Sequence, residues 1–596
     1  MAVYRPDQAQ LTFGTEAAQG ADPEMAEGTL VGSGATAALN DASGHAAGSR
    51  SITVDGVSGT FVVGDFIRIG TVAGTASQTV VECEIRRIEA IDGTVYTLDR
   101  PLAFFHADNE EVKEVSAIGG DATRNDKNKY ITWIPGVYES IDTPDPEMSI
   151  EGKRFLGTQS KRSWSVAYPG SQSLSGSVSG IVLLNGWPLR FPIGKVTTIP
   201  SAVTGSATLN GAVKKGDIFI TLSSSHGVVS GDIIAIYDAA NTTNTTKTTE
   251  VRKCDYLPST NVVKLNYPLH FDHVTGAYVR EQNSASYYDH EIVETTDLDT
   301  VSWHVHMKES SETAAKNFDR RYLGGMIGSA TITAEEEGMV TMGWDSVNFL
   351  NLVHNQANQT TLGTNLYSGA SVSANMPRYG LMQAIDLDDV GMVNQTVNSA
   401  NTGIGYPNTQ PYYFSQGTIK FYGQEIARIR SFSLSIANGE EPRYYLSKQG
   451  NRARGPYEIT EGAREYSMTA TVVLPDADFN ADAAYNATNL QTGALEIFKQ
   501  LLLEGDYGGT TATTARTGFT ATIKFERATN DYIIIDIPGS TTAGTPTAAS
   551  NALNSQGIFI NTAPHTISDD NPLQVDLDMI FRSLRITIRD TQPFYP

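Results

Sequence analysis

The feature that most constrains this chain is a repeat inside it. Residues 61–70 read FVVGDFIRIG and residues 228–237 read VVSGDIIAIY. Further on, LDRPLAFFHAD at 98–108 is answered by LNYPLHFDHVT at 265–275. Gly64 and Gly231, Pro101 and Pro268, and His106 and His273 each lie 167 residues apart. A spacing held across separate landmarks marks a duplicated folding unit. The copies span 48–115 and 211–281. Each carries short β-branched runs, Ile52–Val54, Phe66–Ile69 and Val95–Leu98 in the first, Ile218–Leu222, Ile233–Ile236 and Val262–Leu265 in the second. Such runs between turn residues predict a small antiparallel barrel or sandwich. Gly64-Asp65 and Gly231-Asp232 read as hairpin turns. The recurrence of His106 and His273 at the same place predicts a turn contact that each copy makes.

Outside the repeats the pattern is again β. Residues 431–436 and 466–472 alternate apolar with polar, and in 575–579 three apolar residues share one face while Asp576 and Asp578 take the other. Residues 519–526, 532–537 and 584–588 add further strands. One helix is expected after Thr492 or Gly493, where Leu495, Phe498, Leu501 and Leu502 form a stripe that ends before Gly505. The same order occurs earlier in weaker form. A strand run at 162–184 leads into the compact segment 185–194, and strands at 301–309 and 320–349 follow the second repeat. Two copies of one β-domain are therefore expected, the first interrupted by a barrel. The predicted segments are an arm with first strands at 1–47, barrel repeat one at 48–115 and domain one at 116–210. Barrel repeat two at 211–281 follows, then the rest of domain one at 282–349, a linker at 350–410 and domain two at 411–596.

Composition narrows the function. The 596 residues carry 66 acids against 43 Lys and Arg, a net charge of -23, so the surface repels phosphate and disfavours tight nucleic-acid binding. Two cysteines cannot build a disulfide framework, which points to a reducing compartment. The opening MAVYRPDQAQLTFG has no charged n-region followed by an apolar h-region, and no apolar run approaches the ~18–20 residues a membrane span needs.

Motifs that could carry chemistry fail on inspection. FPIGKVTT at 191–198 resembles a phosphate loop, but Leu189 stands where its first Gly belongs and Val196 where Ser or Thr belongs. DLDDVG at 386–391 has Val390 at a calcium-ligand position, and GSVSG at 176–180 has valine where a nucleophile elbow needs serine. His304 and His306 share one face of a strand, with side chains roughly 6.5–7 Å apart; no third ligand accompanies them, and an exposed or interfacial strand face is expected. Glu335-Glu336-Glu337 before Gly338 reads as a solvated hairpin end or as acids lining a channel. No catalytic, cofactor-binding or metal-binding residue is assigned, and no enzyme activity is expected.

The C-terminal half resembles a known family. GTIKFYGQEIARIRSFSLSIANGEEPRYYL (417–446), then GPYEITEGAREYSMTATVVLPD (455–476) with Pro456, Ile459, Gly462 and Arg464, is similar to the tail tube proteins of long-tailed bacteriophages. QLTFGTEAAQGADPE (10–24) resembles the opening of those proteins, and RRYLGGMIGSATITAEEEG (320–338) the hairpin of their first domain. The resemblance implies tandem tube β-domains, decorated here by the two barrels, that assemble into stacked rings around a hollow duct for DNA. It also implies a virion protein assembled in the host cytoplasm, with tape measure and tail terminator or tip proteins as partners. Two domains per chain predict a trimeric ring of pseudo-sixfold appearance, with a hexamer as the alternative. DNA is expected to pass without specific binding. The rival reading is a carbohydrate-binding adhesin or tailspike with glycosidase activity.

Overall fold

The structure is a computed structural model. It describes residues 4–20, 28–30, 34–70, 84–98, 101–102, 104–118, 138–153, 166–200, 203–223, 226–238, 248–282, 286–309, 318–355, 379–382, 410–421, 424–425, 429–445, 455–473, 520–538, 557–562, 564–568 and 571–595. These residues are mainly β. The helix expected near 493–502, the sequence DLDDVG and most of 350–410 lie outside them. Of that last segment, Asn351–Asn355 and Tyr379–Met382 pair as parallel strands.

Both repeats close into small barrels. In barrel one, Thr36–Leu39 pairs with Ser51–Ser58, which pairs with Val95–Leu98. Next come Glu84–Asp92, Phe66–Ile69 and Glu111–Ile118, and the last returns to Thr36–Leu39. Barrel two is a six-stranded sheet in the corresponding order: Val203–Thr204, Tyr278–Gln282, Ile233–Tyr237, Glu250–Ser259, Val262–Leu265 and Phe219–Thr221. A bridge from Leu209 to Leu222 closes it. Closure removes the open edges that would otherwise invite pairing with another chain.

The Gly-Asp turns serve a different purpose from the one expected. Gly64 and Gly231 have φ of 109° and 97°, which favours glycine. Asp65 and Asp232 accept the backbone N–H of Val62 and Val229, each at 2.7 Å. The strands on either side of each turn are not ladder partners, however. Ser51–Ser58 pairs with Thr36–Leu39 and Val95–Leu98, whereas Phe66–Ile69 pairs with Glu84–Asp92 and Glu111–Ile118. The turn is therefore a crossover between walls of the barrel, and the hairpin reading is corrected.

Two larger sheets form the body. The wide sheet runs, in spatial order, through Ser140–Asp142, Ser175–Val182, Thr341–Asn348, Phe318–Glu335, Ile429–Ala437, Glu465–Val473 and Asn571–Phe581. Ile558–Thr562 and His565–Ser568 share its last edge. The two halves of the chain meet where Ser329–Glu335 pairs with Ser431–Ala437. A seven-stranded sheet backs it, ordered Gly194–Ile199, Tyr288–Glu294, Arg585–Asp590, Asp531–Ile537, Ala521–Ala528, Gly417–Phe421 and Gln424–Glu425. Arg585–Asp590, from the C-terminal half, thus lies beside Tyr288–Glu294 from the N-terminal half.

One core fills the space between these sheets. Val178, Ile332, Trp344, Leu434, Met468 and Met579 from the wide sheet meet Val196, Ile292, Ile523, Ile535 and Ile586 from the other. The compact segment predicted at 185–194 becomes two short helical turns, Trp187–Leu189 and Arg190–Ile193, and is buried. Its aromatics pack edge-to-face, Trp187 on Phe191 at 6.3 Å and Phe191 on Trp344 at 5.9 Å.

Barrel two sits at a defined place in this body. Gly194–Ile199 and Tyr288–Glu294 are paired strands whose last register is Ile199 with Asp289. The hairpin Ala521–Ala528 with Asp531–Ile537 closes by contrast through Thr529 and Asn530 alone. Barrel two therefore occupies the position where the other hairpin has a short turn.

Candidate functional site

The alternation read in the sequence gives the wide sheet two unlike faces. Phe432, Leu434 and Ile436 point into the core while Ser431, Ser433 and Ser435 do not, and Tyr466, Met468, Ala470 and Val472 alternate likewise with Ser467, Thr469 and Thr471. The other strands add Ser175, Ser177, Ser179, Thr331 and Thr333 to the open face, with the carboxylates of Asp345, Asp576 and Asp578 among them. Short hydroxyl side chains keep this surface flat and hydrated.

The aspartates are held in place. Thr331 donates its hydroxyl to Asp345 at 2.6 Å, Thr471 to Asp576 at 2.9 Å, and the Asn561 amide to Asp578 at 2.9 Å. Thr471 and Asp576 are direct cross-strand partners. At one end of the face stands the hairpin turn Glu335-Glu336-Glu337, all three exposed. Glu337 takes a positive φ of 63° before Gly338. Among the described strand residues of this face, Arg430 supplies the positive charge, and its Nε donates to Glu336 at 2.9 Å. The arrangement presents fixed negative charge to whatever lies in front of it. A polyanion would meet repulsion and few cations to bind it.

The paired histidines proved more structured than a turn contact. In barrel one, His106 is fully buried, with Nε2 2.8 Å from Glu84 and Nδ1 2.7 Å from Glu110. Burial opposes its charge, but the carboxylates of Glu110 and Glu84 outweigh it and raise the imidazole to about 9. Glu84 also pairs with Arg86, whose Nε donates to the Pro101 carbonyl at 3.0 Å. Barrel two repeats the device. His273 lies 2.9 Å from Glu250 and 3.3 Å from Asp238, Glu250 pairs with Arg252 at 2.6 Å, and Arg252 Nη2 donates to the Pro268 carbonyl at 2.9 Å. His273 is raised, since Glu250 and Asp238 outweigh its burial. The repeated Pro and His are thus the visible parts of a buried clasp. Its other members, Glu84 with Arg86 and Glu250 with Arg252, are a Glu-x-Arg present in both copies that the sequence reading missed.

A second buried charge cluster joins barrel two to the body. Arg190 is fully buried and donates to Asp299 and, at 2.6 Å, to His270 Nε2. His270 therefore accepts at Nε2 and is neutral. Burial lowers it well below its usual range, and Arg190, Arg252 and Lys195 add to the effect. Lys215 lies 3.4 Å from Asp299.

The remaining candidates carry no site. His304 lies within Val301–Glu309 and is buried, which corrects the expected exposed or interfacial face; the His306 side chain lies outside the described residues. FPIGKVTT is a helical turn running into a strand, and GSVSG is part of Ser175–Val182. Among the described residues, no group of three His, Cys, Asp or Glu is placed to hold a metal ion. No curated protein matches this chain. Residues 162–580 match the family model described as phage tail tube protein, so the chain belongs to that family and is a structural, self-assembling component of the virion tail.

Proposed function

We propose that the chain forms rings that stack into the hollow tail tube of a long-tailed bacteriophage, through which DNA passes to the host. The observation that carries this reading is the open face of the wide sheet, with its hydroxyls, tethered aspartates and scarcity of cations. A sheet closed into a barrel across subunits turns one face inward. With the acidic face inward, the wall repels a sliding polyanion; Lys and Arg would instead hold it by phosphate contacts. Among the described residues, Ser140–Asp142 at one edge and Ile558–Thr562 with His565–Ser568 at the other have a ladder partner on one side only, and their free sides offer groups for closure between copies. Barrel two grows from the seven-stranded sheet, on the side away from the acids, so this orientation puts it on the exterior. The same reading assigns barrel one to the exterior as well. In this reading the chain carries two tube domains, one at 116–210 with 282–349 and one at 411–596, and three chains make a ring with pseudo-sixfold outline.

The reading also includes assembly in the host cytoplasm, with a tape measure protein inside the growing tube and terminator and tip proteins at its ends. No catalytic step is assigned to the chain. The test is electron microscopy of assemblies of the purified protein. Rings of three chains around an open bore are expected. Six chains per ring would overturn the two-domain count, and discrete trimers that cleave sugars would favour the tailspike alternative.

A further inference from the structure

The turn that leaves the strand Ile429–Ala437 carries a buried carboxyl at a hinge. Asn438 and Gly439 follow that strand, then Glu440, and Glu441–Arg443 pairs with Glu458–Thr460 as a short ribbon. Gly439 has a φ of 57°, and Gly462 approaches so closely that a Cβ on it would meet the Gly439 carbonyl oxygen at 2.1 Å. The ribbon thus joins the sheet through a neck of two glycines, where the backbone turns most freely.

The two strands of the ribbon are held very differently. Glu458–Thr460 is anchored, since Ile459 is buried with Met326 and Leu350 and the Gln19 side chain donates to its carbonyl at 3.1 Å. Glu441–Arg443 has no buried residue, and a two-stranded ribbon is marginal in water by itself. Glu440, at its root, ties it to the wide sheet. The Glu440 Oε1 accepts the Asn348 side-chain amide at 2.5 Å and the Ser346 hydroxyl at 3.4 Å. The carboxyl fills the space over Gly328, where a Cβ would come within 2.3 Å of it. Its Oε2 is buried and, among the described residues, has no hydrogen-bond partner. The described groups that hold this carboxyl are all neutral, so its charged form would lose water with no cation in exchange. Burial accordingly raises it to about 8. Burial raises Glu461, at the other root, as well, but Glu461 accepts the Leu298 N–H at 2.6 Å and has Arg464 and Lys215 nearby, opposed by Asp297.

We propose that Glu441–Arg443 is a proton-latched flap, zipped to Glu458–Thr460 while the Glu440 carboxyl is protonated in its seat and peeled away about Gly439 when that carboxyl ionises into water. In the open form the carboxyl is an ordinary one, ~4.3, and in the closed form a raised one. Closing therefore takes up a proton. It is strongest below about pH 4, weakens as pH rises, and stops changing above about 8. The latch belongs to a single chain and does not depend on how rings form.

Amide hydrogen exchange of the full chain, corrected for the intrinsic pH dependence of exchange, tests it. Between about pH 5 and about pH 8, protection of the Glu441–Arg443 and Glu458–Thr460 ladder should fall at least about tenfold. Protection of Ile429–Ala437 should stay constant, which also shows that each variant is folded. Glu440→Gln, of the same shape and uncharged, should hold the ribbon's protection level across the range, and Glu461→Gln should keep the parent's fall. Gly328→Ala, which occupies the seat, should lower protection at every pH. Flat protection in the parent, a fall in Glu440→Gln equal to the parent's, or a fall abolished by Glu461→Gln instead would overturn the proposal. So would Gly328→Ala with the parent's protection.

Discussion

Barrel one draws its interior from its own strands, from Ala35 to Val112, and among the described residues shares none of it with the core of the large sheets. Barrel two has a similar interior, from Ala207 to Val279, yet Ala235, Tyr237, Val251 and Tyr267 of its wall belong to the core of the body. Tyr267 packs on Phe594 at 6.2 Å, and Arg190, Asp299 and His270 place buried charge across the same junction. Barrel one meets the body through Arg50 over the Tyr457 ring at 5.6 Å and through a strand bridge from Ile118 to Met382. The same fold is thus an appendage in one copy and a structural part of the body in the other. Duplication supplied the strands, and surface residues decided how far each copy fused with its surroundings.

Excision separates the two cases most strongly. Replacing 203–282 by a Gly/Ser bridge removes Tyr237, Val251 and Tyr267 from the core and leaves Arg190 and Asp299 without their barrel-side neighbours. We expect loss of soluble, cooperatively folded protein. Replacing 36–118 should leave the body folded, with its main unfolding transition within a few degrees of the parent. Equal tolerance of both excisions by soluble yield and calorimetry would break the comparison.

Next in size is Arg190→Met. Removing one partner of a buried ion pair costs about 3–5 kcal/mol, because the other charge stays desolvated. The lower end is expected, since Lys215 remains 3.4 Å from Asp299. Denaturant titration of the body's transition measures the loss.

The clasps give a pH test. His106 is raised in the folded protein to about 9, against roughly 6.5 when unfolded. Its contribution is therefore complete below pH ~6.5 and is lost as pH rises through about 9. The shift corresponds to roughly 3 kcal/mol. The barrel-one transition should weaken over that window, and His106→Gln should abolish the dependence. A flat profile in the parent would show that the imidazole is not charged between Glu84 and Glu110.

The smallest effect is expected at Arg430→Gln. Its partner Glu336 is exposed, and such surface pairs contribute ~0–1 kcal/mol. A loss of 2 kcal/mol or more by denaturant titration would mean that this turn is more than a solvated hairpin end.

Much of this architecture could be read in the sequence because strands with one buried face write it as a period of two. Ser431–Ile436 and Tyr466–Val472 keep that pattern, and both lie in the wide sheet. The clasps were hidden for the opposite reason. Glu84–Asp92 reads EIRRIEAID, a polar strand on any hydropathy pattern, yet Glu84, Arg86, Arg87 and Glu89 are buried, because Glu84 pairs with Arg86, Glu89 with Arg50, and Arg86 and Arg87 donate to the Pro101 and Gly64 carbonyls. The acidic face was half legible. Asp576 and Asp578 declared a polar side, but the pairing of Ser329–Glu335 with Ser431–Ala437, which unites the halves into one face, joins segments about a hundred residues apart and leaves no local signal. Barrel one begins at Thr36–Leu39, ahead of the first repeat landmark, because the small residues TAAL resemble a linker.

The central claim is that the acidic face of the wide sheet lines the bore. A helical cryo-microscopy reconstruction of assembled tubes tests it most directly. The account predicts three chains per ring, with Asp345, Asp576 and Asp578 facing the lumen and barrel two on the outside. Finding those aspartates on the outer surface, or a bore wall where Lys and Arg outnumber acids, would contradict it.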